Sequence, residues 1–447
     1  MKKSLYLFSM MLSFAALTSC SSDDEPQVIS PVEEEEPSNG EETPPNEEEE
    51  NQEEEKTRTI SLTDAQKSAV ERNNDFAFNL YRTILQSEEF KGKSNVVSPL
   101  SLTFALGMLN AGATGQTQSE IVKLLGFDGS DSQAVNDLCS LLIQGAPTVD
   151  DAVVLKLANL VATDKTVQLE PQFQQDVADY YDGEAASFDF SSHEAVDYVN
   201  DWCKEKTEGL IPSLIDRLDG MIGVFLNAVY FKASWTVPFD PEETAEGEFT
   251  TPDGSKQMLQ MMHRDSALFY LNGELYKTLG LNYGGGENWM MYVLLPNEGH
   301  SVEEVVGSLN SQSWSQQTEH IPFFIENPLL SMEVDVLLPR FKTQSSLHLE
   351  KTIADMGAPS MFLPRQELTG ISSNYKDLLV NMILQKACIE VSEEGTEGAA
   401  ATVGGWAGAD GEYKHYVPEF HATRPFVYLI QEISSGAIFF IGTYLGE

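Results

Sequence analysis

The sequence predicts an α+β fold in one large domain, on three observations. Helical periodicity dominates the first part of the folding region. Helix and strand patterns mix through its middle, and two apolar runs joined by a tight turn close the C-terminus. No Gly/Pro/Ser-rich linker and no internal repeat interrupts the roughly 390 residues that follow position 60, so a single domain is expected despite the length.

The elements follow in order. Phe76, Ala77, Leu80, Tyr81, Ile84 and Leu85 recur at helical spacing, which predicts a helix over 64–86 with Thr63 as its cap. Ser98-Pro99 opens a second helix, with proline in the first turn, where its missing N–H costs nothing. That helix carries Leu102, Ala105, Leu106 and Leu109. A shorter one is expected over 118–125, and another over 195–208 with Gly209 as its stop. Residues 153–161 read as a strand. Residues 221–231 are almost continuously apolar, which suits a strand buried on both faces. Strands are expected at 289–295 and at 332–341, the latter with Met332, Val334, Val336 and Leu338 alternating with polar residues. Residues 346–356 read as a helix and 382–391 as a strand. Strands at 426–433 and 437–444 are joined through Ser434-Ser435-Gly436.

The N-terminus is of a different kind. Lys2 and Lys3 precede the short apolar run Leu5–Leu17, which is too short for an ordinary membrane span and reads as an export signal. It ends in Leu17-Thr18-Ser19-Cys20, which resembles a bacterial lipobox, so residues 1–19 are expected to be removed and Cys20 lipidated. Residues 21–55 hold 16 acidic residues, no basic one and five prolines. Such a stretch cannot bury enough apolar surface to offset chain entropy, so residues 20–58 are expected to be a disordered, self-repelling tether. Ser22-Asp23-Asp24-Glu25 resembles the acidic surface-export signals of Bacteroidetes lipoproteins. The expected location is therefore the bacterial outer membrane, facing outward, with the lipid as the sole membrane contact. Residues 59–447 form the expected folded domain.

Charge and motif content exclude several function classes. With the tether's −16 and the signal's +2 set aside, the chain's −43 becomes about −29 for residues 56–447. So acidic a domain disfavours nucleic acid, where binding rests on neutralising phosphates. Cys139, Cys203 and Cys388 fit neither a disulfide framework nor a zinc site, and are expected to be buried thiols. Gly112–Thr117 lacks the lysine of a phosphate loop and follows a helix instead of a strand. His193-Glu194 begins like a zinc-protease helix, but Asp197 stands where the second histidine is required. No Gly-x-Ser-x-Gly occurs, and the seven histidines are scattered, with His415 and His421 the closest pair. No cofactor, metal or catalytic constellation is expected, and the domain is expected to be a monomer.

Five separated segments carry a resemblance, in the same order as in the family concerned. They are NVVSPLSLTFALGMLNAGATGQTQSEIVKLL (95–125), FLNAVYFKASW (225–235), VLLPRFK (336–342), ADMGAPSMFLPRQELT (354–369) and QKACIEVSEEGTEGAAAT (385–402). Arg424-Pro425-Phe426 and the terminal hairpin follow. Together these segments resemble the serpin family of serine protease inhibitors. The resemblance implies three β-sheets, about nine helices and an exposed reactive-centre loop near 393–417. It also implies a main sheet of five strands that accepts a sixth, and no enzymatic activity.

The hinge reading has its own physical support. A strand entering the middle of a sheet needs every backbone N–H, and no proline occurs from Gly370 through Val417. In the segment Glu393, Glu394, Gly395, Thr396, Glu397, Gly398, Ala399, Ala400, Ala401, Thr402, an inward Thr396 puts Gly398, Ala400 and Thr402 on the same face. All of these are small. Gly395 supplies the bend, and Gly398 stands where the family more often has alanine.

By resemblance, Ser98, Ser101, Asn227 and Gln385 lie where the main sheet opens. Gln385 stands where the family usually has histidine, which puts the pH sensitivity of that cluster in doubt. Trp235 falls where the loop first enters the sheet, and Glu393 and Arg340 are placed to pair there. The scissile bond is less determined. Counting forward from Glu393 by the family's spacing gives Ala409–Asp410, whereas counting back from Pro418 and Arg424 gives Lys414–His415. The forward count is favoured, because the hinge-side length sets how far an attached protease would travel. Ala409 suits an elastase-like partner and Lys414 a trypsin-like one. Inhibition of serine proteases, and of cysteine proteases as well, is the function implied. A non-inhibitory binding or carrier member is the alternative, although such members usually carry bulky, charged or Pro residues in the hinge.

Overall fold

In the computed structural model the described residues are 58–88, 90–127, 131–209, 211–286, 288–319, 321, 332–396 and 417–446. In chain order they form α1 (Asp64–Leu85), β1 (Asn95–Val97), α2 (Pro99–Gly112), α3 (Gly115–Leu124), α4 (Ser132–Gly145), β2 (Val153–Asp164), α5 (Pro171–Tyr181) and β3 (Gly183–Phe188). Then come α6 (His193–Lys206), β4 (Gly223–Ser234), β5 (Ala245–Thr250), β6 (Lys256–Asn272), β7 (Tyr276–Tyr283), β8 (Trp289–Pro296), α7 (Val302–Ser308) and α8 (Ser311–Thr318). The chain ends with β9 (Met332–Pro339), β10 (Phe341–His348), α9 (Glu350–Asp355), β11 (Met382–Ser392), β12 (Gly395–Thr396), β13 (Glu419–His421), β14 (Phe426–Glu432) and β15 (Ile438–Tyr444). The fold is α+β, and none of the described helices is long and apolar enough to cross a membrane.

The strands form a main sheet in the order β10-β11-β12-β4-β2-β3, plus a longer path β1-β15-β14-β8-β7-β6-β9-β13 with β5 beside β6. The longer path is two sheets sharing β6. Its residues 256–268 pair with β5 and β9, and its residues 269–272 turn to β7. One face of the main sheet packs on the principal core under α2, a helix with 13 of its 14 residues buried. The other face carries a second apolar cluster. Ala158 and Leu160 of β2, Val224 and Leu226 of β4, and Met382 and Leu384 of β11 meet Val199, Trp202 and Cys203 of α6. Burial on both faces is the reason that β4 reads as an unbroken apolar run.

Local chemistry sets the element ends. Thr63 and Gln66 form a reciprocal capping box on α1, and the Ser98 side chain caps α2 ahead of Pro99. The Glu432 carboxylate, fully buried, accepts the N–H groups of Ser434 and Ser435 and so closes the C-terminal hairpin.

The expected helix over 346–356 is corrected. Residues 341–348 are the edge strand β10, and only Glu350–Asp355 is helical. Phe341, Thr343, Ser345 and Leu347 point inward with strict alternation. Two of those inward residues are polar, which hid the period of two. The Ser345 hydroxyl accepts the Val96 N–H at 2.9 Å, and the Thr343 hydroxyl bonds that of Tyr428. The three described cysteines are buried, and burial raises the Cys203 thiol to about 11. Truncating Leu226, which is 0% exposed beneath α6, should cost the native state about 2–5 kcal/mol, read as a lower urea midpoint without loss of the native circular-dichroism spectrum at rest.

Candidate functional site: the split in the main sheet

β11 and β4 run parallel and pair directly only at one end, from Met382↔Val224 to Lys386↔Ala228. Toward the other end a third segment separates them. The chain leaves β11 at Ser392, turns at Glu393-Glu394, and comes back as β12. Gly395 and Thr396 pair antiparallel with β11 on one side and with Ser234 and Ala233 of β4 on the other. Two residues just past the turn that opens the loop, Gly395 and Thr396, therefore already form the start of a sixth strand. This sharpens the expectation of five strands with room for another.

Several contacts hold this entry point. The Glu393 carboxylate accepts from the Arg340 side chain at 2.7 Å and from the Thr244 hydroxyl at 2.5 Å. Burial opposes ionisation of Glu393, but the hydrogen bonds from Arg340 and Thr244 outweigh it and hold the carboxyl below the usual range. The same partner raises the Arg340 guanidinium. Trp235, buried, donates its indole N–H to the Ser392 carbonyl at 2.9 Å, and its backbone N–H to the Glu394 carbonyl at 2.8 Å. Its ring stacks on Tyr283 with centroids 4.4 Å apart, and the Tyr283 hydroxyl bonds Thr396 at 2.7 Å. Thr396 is 1% exposed, so the inward orientation expected of it is what the strand adopts. Beneath this floor Arg264, buried, lies over the Phe239 ring and donates to the Val237 carbonyl.

Gly395 is required by both backbone and space. Its φ is +143°, and a Cβ there would lie 2.1 Å from the Ala233 carbonyl oxygen and 2.6 Å from Ser234 Cα.

At the closed end, Ser98, Ser101, Asn227 and Gln385 come together, all buried. The Gln385 amide accepts the Ser98 N–H at 2.9 Å and donates to the Ser98 carbonyl at 2.8 Å. The Ser101 hydroxyl donates to Asn227, which donates to Asn159 at 2.7 Å. Gln385 and Asn227 are register partners across β11 and β4, so the cluster closes the sheet under the N-terminus of α2. With an amide in place of an imidazole, this cluster contains no group that titrates near neutral pH.

Residues Glu397–Thr402, the bonds Ala409–Asp410 and Lys414–His415, and Cys20 lie outside the described residues. Thr244, Tyr283 and Ser392 belong to the site but were not legible in sequence. Each is an ordinary polar residue, far in the chain from its partner, and only the sheet register brings it there.

The class this geometry defines is an α+β protein whose main sheet holds a parallel strand pair, β11 and β4, separated at one end by the short antiparallel strand β12. The sequence profile of the Serpin (serine protease inhibitor) family matches residues 71–446, and the chain belongs to that family. It is 32% identical over 386 residues to the leukocyte elastase inhibitor of Sus scrofa, a match covering 83% of this chain and 97% of that protein. Human thyroxine-binding globulin, in complex with its hormone, superposes with a TM-score of 0.75 at 28% identity, covering 85% of this chain and 99% of the other. The native stressed conformation of Arabidopsis AtSerpin1 gives 0.72 at 26% identity, covering 86% and 98%. The relatives thus include both an inhibitor and a hormone-binding protein.

Two outcomes are expected at the entry point. Because the folded carboxyl of Glu393 is depressed, its contribution is complete above the unfolded value of about 4.3 and is lost as pH falls through the folded value. Trp235 fluorescence should change as pH falls through the folded value, and Glu393→Gln should abolish that change. With Arg340 half-exposed and able to rehydrate, the cost of Glu393→Gln at neutral pH should be about 1 kcal/mol. Gly395→Ala should expel β12, read as faster hydrogen exchange of the Thr396 amide with the rest of the main sheet unchanged.

Proposed function

We propose that this chain is a suicide-substrate inhibitor of serine endopeptidases, and of cysteine endopeptidases by the same covalent chemistry. The observation that carries the reading is β12, two loop residues already laid antiparallel between β11 and β4. Further insertion replaces each parallel β11–β4 pairing with two antiparallel ones, which are slightly more stable per residue. If about 14 residues enter, each gaining about 1 kcal/mol of net hydrogen bonding, the drive is on the order of 10–20 kcal/mol. That is comparable with the stability of a protease domain, about 5–15 kcal/mol.

The chemistry belongs to the protease. Its nucleophile attacks the loop carbonyl, the peptide C–N bond breaks, the new amine leaves with the proton from the protease's general acid, and an acyl-enzyme remains. The loop, freed at its far end, can then enter the sheet with the protease attached and pull the catalytic groups out of line before water arrives. Small residues at Gly398, Ala400 and Thr402 favour this over a carrier role, because they alternate with Thr396 and would follow it onto the packed core face of the sheet, where Thr396 already meets Tyr283. The bond attacked is Ala409–Asp410, with Lys414–His415 as the second candidate. Lipidation of Cys20 and display on the outer membrane complete the reading, and a diacylglyceryl mass on the N-terminal peptide tests them.

Incubation with elastase-like and trypsin-like proteases should yield an adduct of the summed mass that survives denaturing gels, and the mass of the released C-terminal peptide identifies the bond. Cleavage by both without any adduct contradicts inhibition. Thr396→Arg places a long charged side chain at a position that is 1% exposed, so it should abolish the adduct while the loop is still cut. Adduct formation at full efficiency would contradict insertion as the trap.

A further inference from the structure

Two histidines far apart in sequence converge on one carboxylate. On the solvent face of the third sheet, β6, β9 and β13 lie side by side. His263 and His421 both pair in register with Leu337, and Asp265 and Glu419 both pair with Asp335. The result is a small grid of alternate residues on one face, with two imidazoles in one row and three carboxylates in the next. The His263 Nε2 atom lies 3.2 Å from one oxygen of Asp335, and the His421 Nε2 atom lies 3.1 Å from the other. Ligand atoms of His263, Asp265 and Asp335 all fall within 4.8 Å of one another.

We propose that this grid is a binding site for a divalent cation of the zinc class, with His263, Asp335 and His421 as ligands and Asp265 as the fourth. Imidazole nitrogen with carboxylate oxygen is the donor set such ions take, and it is a poor match for magnesium or calcium, which prefer oxygen alone. A second observation points the same way. The other ring nitrogen of His263, Nδ1, lies 3.4 Å from the Glu243 carboxylate. That outer carboxylate is the partner that orients a metal-binding imidazole and directs the opposite nitrogen to the ion. The Asp335 oxygens already lie within 3.2 Å of both imidazole nitrogens; His421, which stands outside the compact His263–Asp265–Asp335 group, has the furthest to move onto an ion held at 2.0–2.2 Å, and these half-exposed side chains have room to adjust. The nearby cation, Lys277, donates to the Glu419 carbonyl at 3.0 Å and does not occupy the carboxylates of the grid.

The position gives the ion a consequence. β13 is three residues long, pairs with β9 alone among the described strands, and is the first strand after the loop. An ion held by His421 of β13, Asp335 of β9 and His263 of β6 ties the far end of the loop to the body of the protein. It would stabilise only the state in which all three strands are in place. This effect does not depend on whether the loop inhibits a protease.

Calorimetric titration of the full chain with zinc chloride tests the site. One ion per chain is expected, retained in excess magnesium, with a rise in Tm. His263→Ala and His421→Ala should each weaken binding about tenfold or more and remove the rise in Tm, and Glu243→Gln should weaken it less. All three positions face solvent, so the variants should keep the native spectrum. If an alanine variant does not, His263→Gln and His421→Gln, which keep the bulk and lose the imidazole, should give the same loss. No saturable binding overturns the proposal. So does equal binding by wild type and both histidine variants, since the ion would then sit elsewhere, on the acidic N-terminal stretch for example.

Discussion

The organisation of this molecule depends on one geometric fact. β11 and β4 are parallel to each other, and a strand that runs against both lies between them at one end only. At the other end the direct pairing persists through Lys386 and Ala228. Parallel neighbours are compatible with an antiparallel newcomer, and the chain leaving β11 by a tight turn supplies one of the correct polarity. The direction of β11, the turn at Glu393-Glu394 and the register of β12 are therefore a single constraint.

Each end of that gap is held by a different kind of force. The closed end is neutral and buried. It is a relay of amide and hydroxyl bonds from Ser98 through Gln385, and from Ser101 through Asn227 to Asn159. Opening it exposes several polar groups to an apolar cluster at once, which makes it a cooperative lock. The open end is held by an ion pair at the turn and by aromatic stacking beside it. Those contacts involve a half-exposed arginine and are individually modest, so the entry point is the softer of the two. α6 covers the outer face of the closed end, where its apolar residues meet β2, β4 and β11, so a strand extended past Lys386 and Ala228 would turn its outward residues toward that helix.

How much of this was legible in the sequence differs from residue to residue, for physical reasons. α1, α2 and β4 announce themselves, since a capping residue, a first-turn proline or a doubly buried run leaves a local signature. The inward face of Thr396 was readable from the alternation of small residues in a proline-free segment, and Thr396 is buried. Gly395 could be read as a bend, but the close approach of the Ala233 carbonyl that makes it irreplaceable could not. Most of β10 has no legible pattern and its last three residues, 346–348, read as the start of a helix, because its inward positions include Thr343 and Ser345, whose partners, Tyr428 and Val96, lie in other parts of the chain. Thr244 and Tyr283, and the meeting of His263 with His421, were invisible for the same reason. Strand pairing over long sequence separations creates them, and no local pattern encodes it.

The most direct test of the central claim is the thermal stability of the chain before and after a single cut in the loop near Ala409. Residues freed at that end should complete the strand begun by Gly395 and Thr396, so the nicked protein is expected to melt at a clearly higher temperature than the intact one. The same melting temperature, or a lower one, would mean that β12 is a closed edge and that the main sheet does not accept the loop.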